Sequence, residues 1–259
     1  MLSLRISATL IAVSALSYVF LRMVLSQQEK ILRNEQLRRD GMANVSHELR
    51  TPLATAITRV DAMLDGIRPT DPAQLRSLSG SLNHLRKIVD DLYQLALADV
   101  DALVINKDWA RLDLIVKSAL EAVQDKFKEK RFHVVMNSAK AINIYGDAMR
   151  LRQIIDNLLE NCYRYTNEAA TIEISLREGK GVIKLTISDS GPGVDDQTLP
   201  VLFDRFIRGD VSRNRETGGS GLGLSLVKAM VSAHDGKVSA FRSDRGGLGI
   251  AMQFPAVHS

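Results

Sequence analysis

A seam, apolar but for Ser46, runs in alternating steps of four and three along residues 42 to 67: Met42, Ser46, Leu49, Leu53, Ala56, Val60, Met63 and Ile67. That spacing predicts a helix with one apolar seam. Gly66, Pro69 and Pro72 break it. A second seam follows at Leu75, Leu78, Leu82, Leu85, Val89, Leu92 and Ala96, again in steps of three and four. Residues 42–100 therefore read as a helical hairpin. A hairpin alone leaves one apolar side uncovered. Two hairpins from two chains close a dimeric four-helix bundle, so a homodimer is expected. The alternative is a hairpin packed against its own C-terminal domain. Between residues 26 and 41 the heptad is poor: Leu32 fits, while Gln28, Glu35 and Arg39 interrupt. This stretch reads as a charged helical connector, with no room for a separate signalling module.

The texture changes after residue 108. An amphipathic helix is predicted over Leu112–Lys128, with further helices at Asp147–Tyr165 and Leu222–Ala233. Strand-like runs lie at Phe132–Met136, Thr171–Leu176, Val182–Ser188, Val238–Phe241 and Ile250–Phe254. Residues 109–259 thus read as an α/β two-layer sandwich with a mostly antiparallel sheet.

The first 25 residues stand apart. Ile6 to Leu21 carries no charge. Those sixteen residues span roughly 24 Å as helix, against a bilayer core of about 30 Å. Extension to Leu25 closes the gap if Arg22 snorkels to the headgroups. A transmembrane anchor over 1–25 is expected, the alternative being a cleaved signal peptide. Arg22, Lys30, Arg33, Arg38 and Arg39 follow the span, against Arg5 before it, which places the remainder in the cytoplasm. A membrane location follows. Cys162 is the only cysteine, so no intramolecular disulfide forms. A net charge of +4, with five Tyr and one Trp, gives no basic stripe with stacking platforms. No nucleic-acid partner is expected.

Four constellations carry chemistry. The first is the octapeptide Ser46-His47-Glu48-Leu49-Arg50-Thr51-Pro52-Leu53. His47 lies one step off the seam and should face solvent. Its neutral imidazole is a nucleophile for phosphorus. Glu48 can accept the proton of the ring nitrogen that does not attack. Thr51 lies one turn further on the same face, where its hydroxyl could orient a water. Pro52 leaves the Glu48 carbonyl without its helical partner, and a bend is expected. The second is Asn157-Leu158-Leu159-Glu160-Asn161-Cys162-Tyr163-Arg164-Tyr165, with Asn157, Asn161 and Arg164 on one helix face. The third is Asp189-Ser190-Gly191-Pro192-Gly193 at a strand end. Its carboxylate can accept from the exocyclic amine of adenine, and Gly191 and Gly193 let backbone approach the base. The fourth is Gly218-Gly219-Ser220-Gly221-Leu222-Gly223-Leu224, opening a helix whose N–H groups attract phosphate. Gly219, Gly221, Leu222 and Gly223 are its candidate contacts. Gly246-Gly247 is either a further glycine box or a hairpin turn.

In this order the motifs resemble the H-box, N-box, D-x-G-x-G and glycine box of the bacterial two-component sensor histidine kinases, over about residues 42 to 255. Leu202-Phe203-Asp204-Arg205-Phe206 resembles their F-box. The resemblance implies a phosphotransfer hairpin followed by a Bergerat-type ATP-binding domain. It implies ATP and Mg²⁺ as cofactors, with Asn161 on the metal, Asn157 and Arg164 at the phosphates, and Tyr165 near the nucleotide. A mobile lid would follow Phe206, with Arg208, Arg213 and Arg215 near the phosphates. It also implies autophosphorylation of His47, transfer to an aspartate of a response regulator, and regulator phosphatase activity through Thr51. Family members usually carry two spans, a sensor domain and a coupling module. This chain offers at most one span and about 20 residues before the H-box, so either a missing N-terminus, or sensing through the membrane or a partner subunit, is expected. Two other readings compete. An ATP-hydrolysing relative of the chaperone or topoisomerase type needs a glutamate base where this chain has Asn157. A non-catalytic dimeric scaffold would be expected to have lost His47, Asn161 or Asp189. The remaining histidines read blandly: His84 on the hairpin exterior, His133 at a strand start, His234 capping a helix end, His258 terminal.

Overall fold

The computed structural model describes residues 22, 28, 45–46, 48–100, 102–138, 141–205, 207 and 221–257. The chain divides into two compact units, Met1–Ser46 and His47–Ser259, and the elements below belong to the second. The anchor and connector expected over 1–41 fall almost wholly outside the described residues. Among the described residues no helix is long and apolar enough to cross a membrane.

The hairpin forms as its seams predict. Helix α1 covers 48–64 and runs through Pro52 without interruption. Helix α2 is Pro72–Asp99. The Asp71 carboxylate accepts from the Gln74 N–H at 2.8 Å, and Pro72 occupies the first turn, where its missing N–H costs nothing. So Pro72 ends the interhelical turn by starting α2.

α2 uses two faces. Ile88 is 1% exposed and joins the core of the C-terminal domain together with Leu95, while its neighbour Val89 is 50% exposed. Leu53, Val60, Leu75, Leu82 and Val89 of the two seams remain open. The two alternatives posed by the sequence are therefore compatible. One face of α2 packs on its own ATPase half, and the seam is still available.

The C-terminal domain is a five-stranded sheet with a separate two-stranded ribbon. The sheet comprises β2 (His133–Ser138), β4 (Thr171–Gly179), β5 (Val182–Asp189), β6 (Lys237–Arg242) and β7 (Leu248–Pro255). Its order is β2-β4-β5-β7-β6. Only β2 and β4 are parallel. The ribbon pairs β1 (Asp108–Arg111) with β3 (Asn143–Gly146). These two four-residue strands were not expected. Each is too short and too polar to register as a run.

Three helices supply the second layer: α3 (Leu112–Glu129), α4 (Ala148–Tyr165) and α5 (Gly223–Ala233). α4 packs against both α3 and α5. Ile172, Ile174 and Leu176 alternate with less buried positions along β4. They meet Ile155, Leu159, Leu226 and Met230 in a single core. Cys162 is part of it, and burial pushes its thiol far up, so it stays a neutral packing group.

Candidate nucleotide site

The site hangs on α4, and α4 is anchored at its start. The Asp147 carboxylate accepts from the N–H groups of Met149 (3.0 Å) and Arg150 (3.1 Å), and from Asn106 N–H at 3.0 Å. The Asp147 N–H donates to His234 Nε2 at 3.0 Å, while His234 Nδ1 donates to the Met230 carbonyl at 2.8 Å. Burial lowers the His234 pKa, which keeps this neutral tautomer. His234 caps α5 as expected, and it also ties the end of α5 to the start of α4.

A cavity of about 430 Å³ opens beside the C-terminal half of α4, within the size range of ligand pockets. α4 contributes Asn157, Asn161, Arg164 and Tyr165; the end of β5 and the segment after it contribute Asp189, Pro192 and Gly193; the start of α5 and the residues before it contribute Gly221 and Gly223. Ile187, Leu202, Leu248 and Ile250 give it apolar walls.

Asp189 is held at one end. Its Oδ1 accepts from Gly191 N–H at 2.7 Å and from Leu248 N–H at 3.4 Å. Burial raises its pKa, and these two donors partly offset the rise. Gly247 packs directly on this carboxylate: a Cβ there would stand 2.3 Å from Asp189 Oδ1. Gly193 has φ +67°, a conformation open to glycine at little cost.

Asn157 is 6% exposed. Its Oδ1 accepts from Lys87 Nζ at 3.4 Å, and its Nδ2 is buried with no partner among the described residues. Arg164 Nε donates to Glu160 Oε1 at 2.9 Å. Burial would raise the Glu160 pKa, but Arg164 and Lys126 bring it below the usual value. The Asp189 carboxylate is thus a fixed hydrogen-bond acceptor on the cavity wall, which also carries Asp91, Glu160 and Asp195. Amide and guanidinium donors line its α4 side.

Residues 146–258 match the family model of the histidine kinase-, DNA gyrase B-, and HSP90-like ATPases. Residues 37–100 match that of the His Kinase A (phospho-acceptor) domain. The signal transduction histidine-protein kinase BaeS of Escherichia coli strain K12 is 40% identical over 223 residues. The chain belongs to the sensor histidine kinases. The match to BaeS takes in 86% of this chain and 48% of BaeS, and the chain spans about half the length of the curated relatives it matches. Among solved structures, the Acinetobacter baumannii histidine kinase AdeS superposes with a TM-score of 0.68 at 25% identity, over 82% of this chain and 98% of AdeS. The histidine kinase ThkA, in complex with the response regulator protein TrrA, shares the fold at 19% identity and a TM-score of 0.57, over 83% and 61% of the two chains.

Several kinase motif residues sit where the sequence suggested. Asn157, Asn161, Arg164, Tyr165, Asp189, Gly193, Gly221 and Gly223 line one cavity. Others differ. Leu222 is fully buried in the core, and its carbonyl accepts from Ser225 Oγ at 2.8 Å, so its side chain is a packing group beneath the glycine loop. Gly191 acts by holding Asp189 rather than by lining the cavity. Gly246-Gly247 is a hairpin turn between β6 and β7, closed by Ser243 N–H to Gly247 carbonyl and Gly246 N–H to Ser243 carbonyl. His47, Phe206, Arg208, Arg213, Arg215, Gly218 and Gly219 lie outside the described residues. Glu48 is half-buried and Thr51 is exposed, with the Thr51 carbonyl accepting from Thr55 Oγ1 at 2.9 Å.

His84 requires correction. It is half-buried and lines the cavity with Lys87, Ile88 and Asp91 of α2. Burial lowers its pKa, then nearby Arg164, while Glu48 raises it. The α2 contribution to the wall was not foreseen, because only the packing of α2 on α5 turns this face inward. Arg205 of the F-box secures that packing. It donates through Nη1 to Asp99 Oδ2 at 2.8 Å and through Nη2 to the Leu95 carbonyl at 3.1 Å. Gln153 Nε2 donates to Gln94 Oε1 at 3.2 Å across the same seam.

Proposed function

We propose that the chain is an ATP-dependent protein-histidine kinase that phosphorylates His47 and passes the phosphoryl group to an aspartate of a response regulator. The observation that carries this is the polarity of the cavity. A half-buried carboxylate at one end, its pKa raised by desolvation, suits the exocyclic amine of adenine. The unpartnered Asn157 Nδ2 and the Arg164 guanidinium on the α4 side suit phosphate oxygens. Tyr165 and the apolar walls flank the nucleotide between them. Among the described residues no group of three or more His, Cys, Asp or Glu could hold a metal. That fits Mg²⁺, which takes one or two protein oxygens and completes its shell with waters and phosphate oxygens. Asn161, on the cavity wall, would be its protein ligand, and the bound ion would neutralise charge on the transferring group.

In the transfer, His47 Nε2 forms a bond to the γ-phosphorus as the bond from phosphorus to the β,γ-bridging oxygen breaks, and ADP leaves. Glu48 accepts the hydrogen of the other ring nitrogen, so the imidazole does not accumulate positive charge. The phosphoryl group then moves from nitrogen to a carboxylate oxygen of the regulator. The resemblance to ThkA, solved with TrrA, supports a regulator as partner. The open seams of α1 and α2 support a homodimer closed as a four-helix bundle. The uncharged stretch Ile6–Leu21, with its trailing arginines, supports an anchor in the bacterial inner membrane and catalytic domains in the cytoplasm. Thr51, exposed on α1, supports phosphatase activity towards the regulator by orienting a water. Hydrolysis by the ATPase half alone is disfavoured, since the Asn157 amide takes no proton from water.

The test is incubation with γ-labelled MgATP. Acid-labile, base-stable label on the protein is expected. Release of free phosphate with no labelled protein would overturn the assignment in favour of an ATPase.

A further inference from the structure

Helix α2 brings His84, Lys87 and Asp91 to the cavity wall. Their spacing of three and four residues puts them on one helix face. The hairpin is therefore a boundary of the nucleotide site and not only a target for it. Of the three, Lys87 is the one that carries an ammonium group. Its ammonium donates to Asn157 Oδ1 at 3.4 Å, a long contact. That contact fixes which way the amide points. The carbonyl faces the lysine, and Nδ2 is left buried without an acceptor among the described residues. Two donors thus stand side by side, one of them desolvated and without an acceptor among the described residues, an arrangement that carries a free-energy cost. An anionic group with several oxygens would satisfy both. Asp91 carries the opposing charge on this face, but it is buried, whereas Lys87 is exposed.

We propose that Lys87 is a nucleotide-binding residue supplied by the hairpin: with the ATPase half seated on α2, its ammonium and the Asn157 amide both donate to phosphate oxygens of ATP. This rests on the nucleotide reading of the cavity given above. The phosphate replaces the long Lys87–Asn157 contact with charge-assisted hydrogen bonds, which are shorter and stronger. Nucleotide charge then favours the seated arrangement over any in which α2 is withdrawn, and the seated arrangement favours ATP by the same factor.

The experiment measures binding of ATP and of adenosine to the full chain, with Mg²⁺, for the parent, Lys87→Met and Lys87→Arg. Lys87→Met should weaken ATP binding about tenfold, the worth of one charge-assisted bond. Adenosine binding should be unchanged, and Lys87→Arg should keep most of the ATP affinity. Equal losses for ATP and adenosine would overturn the proposal, since Lys87 would then act on the seating of α2 alone. Unchanged ATP binding in Lys87→Met would overturn it as well. A parent chain that binds neither ATP nor adenosine would overturn the nucleotide reading itself, and this inference with it.

Discussion

Replacing Gly247 by alanine puts a methyl group where Asp189 already lies. The added Cβ would stand 2.2 Å from the Asp189 carbonyl oxygen, 2.3 Å from Oδ1 and 2.7 Å from its carbonyl carbon. Two of these three atoms are backbone of Asp189, the last residue of β5, which pairs with Ile172 of β4. The neighbour cannot swing away as a flexible side chain would. Either the β6–β7 turn lifts or the end of β5 bends, and overpacking of this kind costs about 1–3 kcal/mol. The carboxylate at the adenine end moves in both cases, so ATP affinity should fall at least about tenfold. Gly246 is the control. Its φ of +93° makes alanine strained, yet nothing lies within 4 Å of the added Cβ. Gly246→Ala should cost about 1–2 kcal/mol of stability and leave nucleotide affinity near the parent value. Urea unfolding and calorimetric ATP titration on both variants separate the effects. If Gly247→Ala binds ATP like the parent, the close packing of this turn on Asp189 is wrong.

Asp91, buried on α2 near Lys87 and Asp90, has its pKa raised to about 6 by burial. The folded state therefore holds the proton more tightly than the unfolded chain does. Asp91 should cost stability progressively as pH rises from about 4 to 6, by at most about 3 kcal/mol. Urea unfolding should show Asp91→Asn more stable than the parent at pH 7 and equal to it near pH 4; an offset independent of pH would refute this. The Arg205–Asp99 pair is partly exposed, so a double-mutant cycle on Arg205→Ala and Asp99→Ala should give a small favourable coupling of about 0.5–1 kcal/mol. Zero coupling would show that the pair does not secure α2 on the ATPase half. Thr51→Ala should keep self-phosphorylation and cut regulator dephosphorylation about tenfold, or about 1.4 kcal/mol of barrier. Loss of both activities together would make Thr51 a structural residue.

Most elements were legible because their periodicity is strong. α3 and α4 begin within a residue of the expected positions, and the five longer strands extend the predicted runs by a few residues at most. β1 and β3 were missed because four-residue strands such as Asp108–Arg111 carry too few apolar positions to show an alternation. The α4 face and the Asp189 turn were readable because their spacing alone gathers Asn157, Asn161 and Arg164, and fixes Asp189 beside two glycines. Long-range packing was not readable. His84, Lys87 and Asp91 lie off the heptad seam, and a solvated face is the ordinary expectation there. They reach the cavity only because Ile88 and Leu95 on the adjoining face bury themselves in the ATPase core. Gly247 was ambiguous for a similar reason. Its turn was visible in the sequence, but its approach to Asp189, 58 positions earlier, exists only in the fold.

Two described or expected neighbours of the nucleotide are histidines, so the central claim can be tested at the level of the single side chain. The full chain is incubated with MgATP at neutral pH, digested without acid, and the phosphoryl group is placed by tandem mass spectrometry. The account predicts phosphate on the peptide containing His47 and none on that containing His84, with the modification abolished in His47→Gln. Phosphate on His84, or labelling that survives His47→Gln, would contradict it.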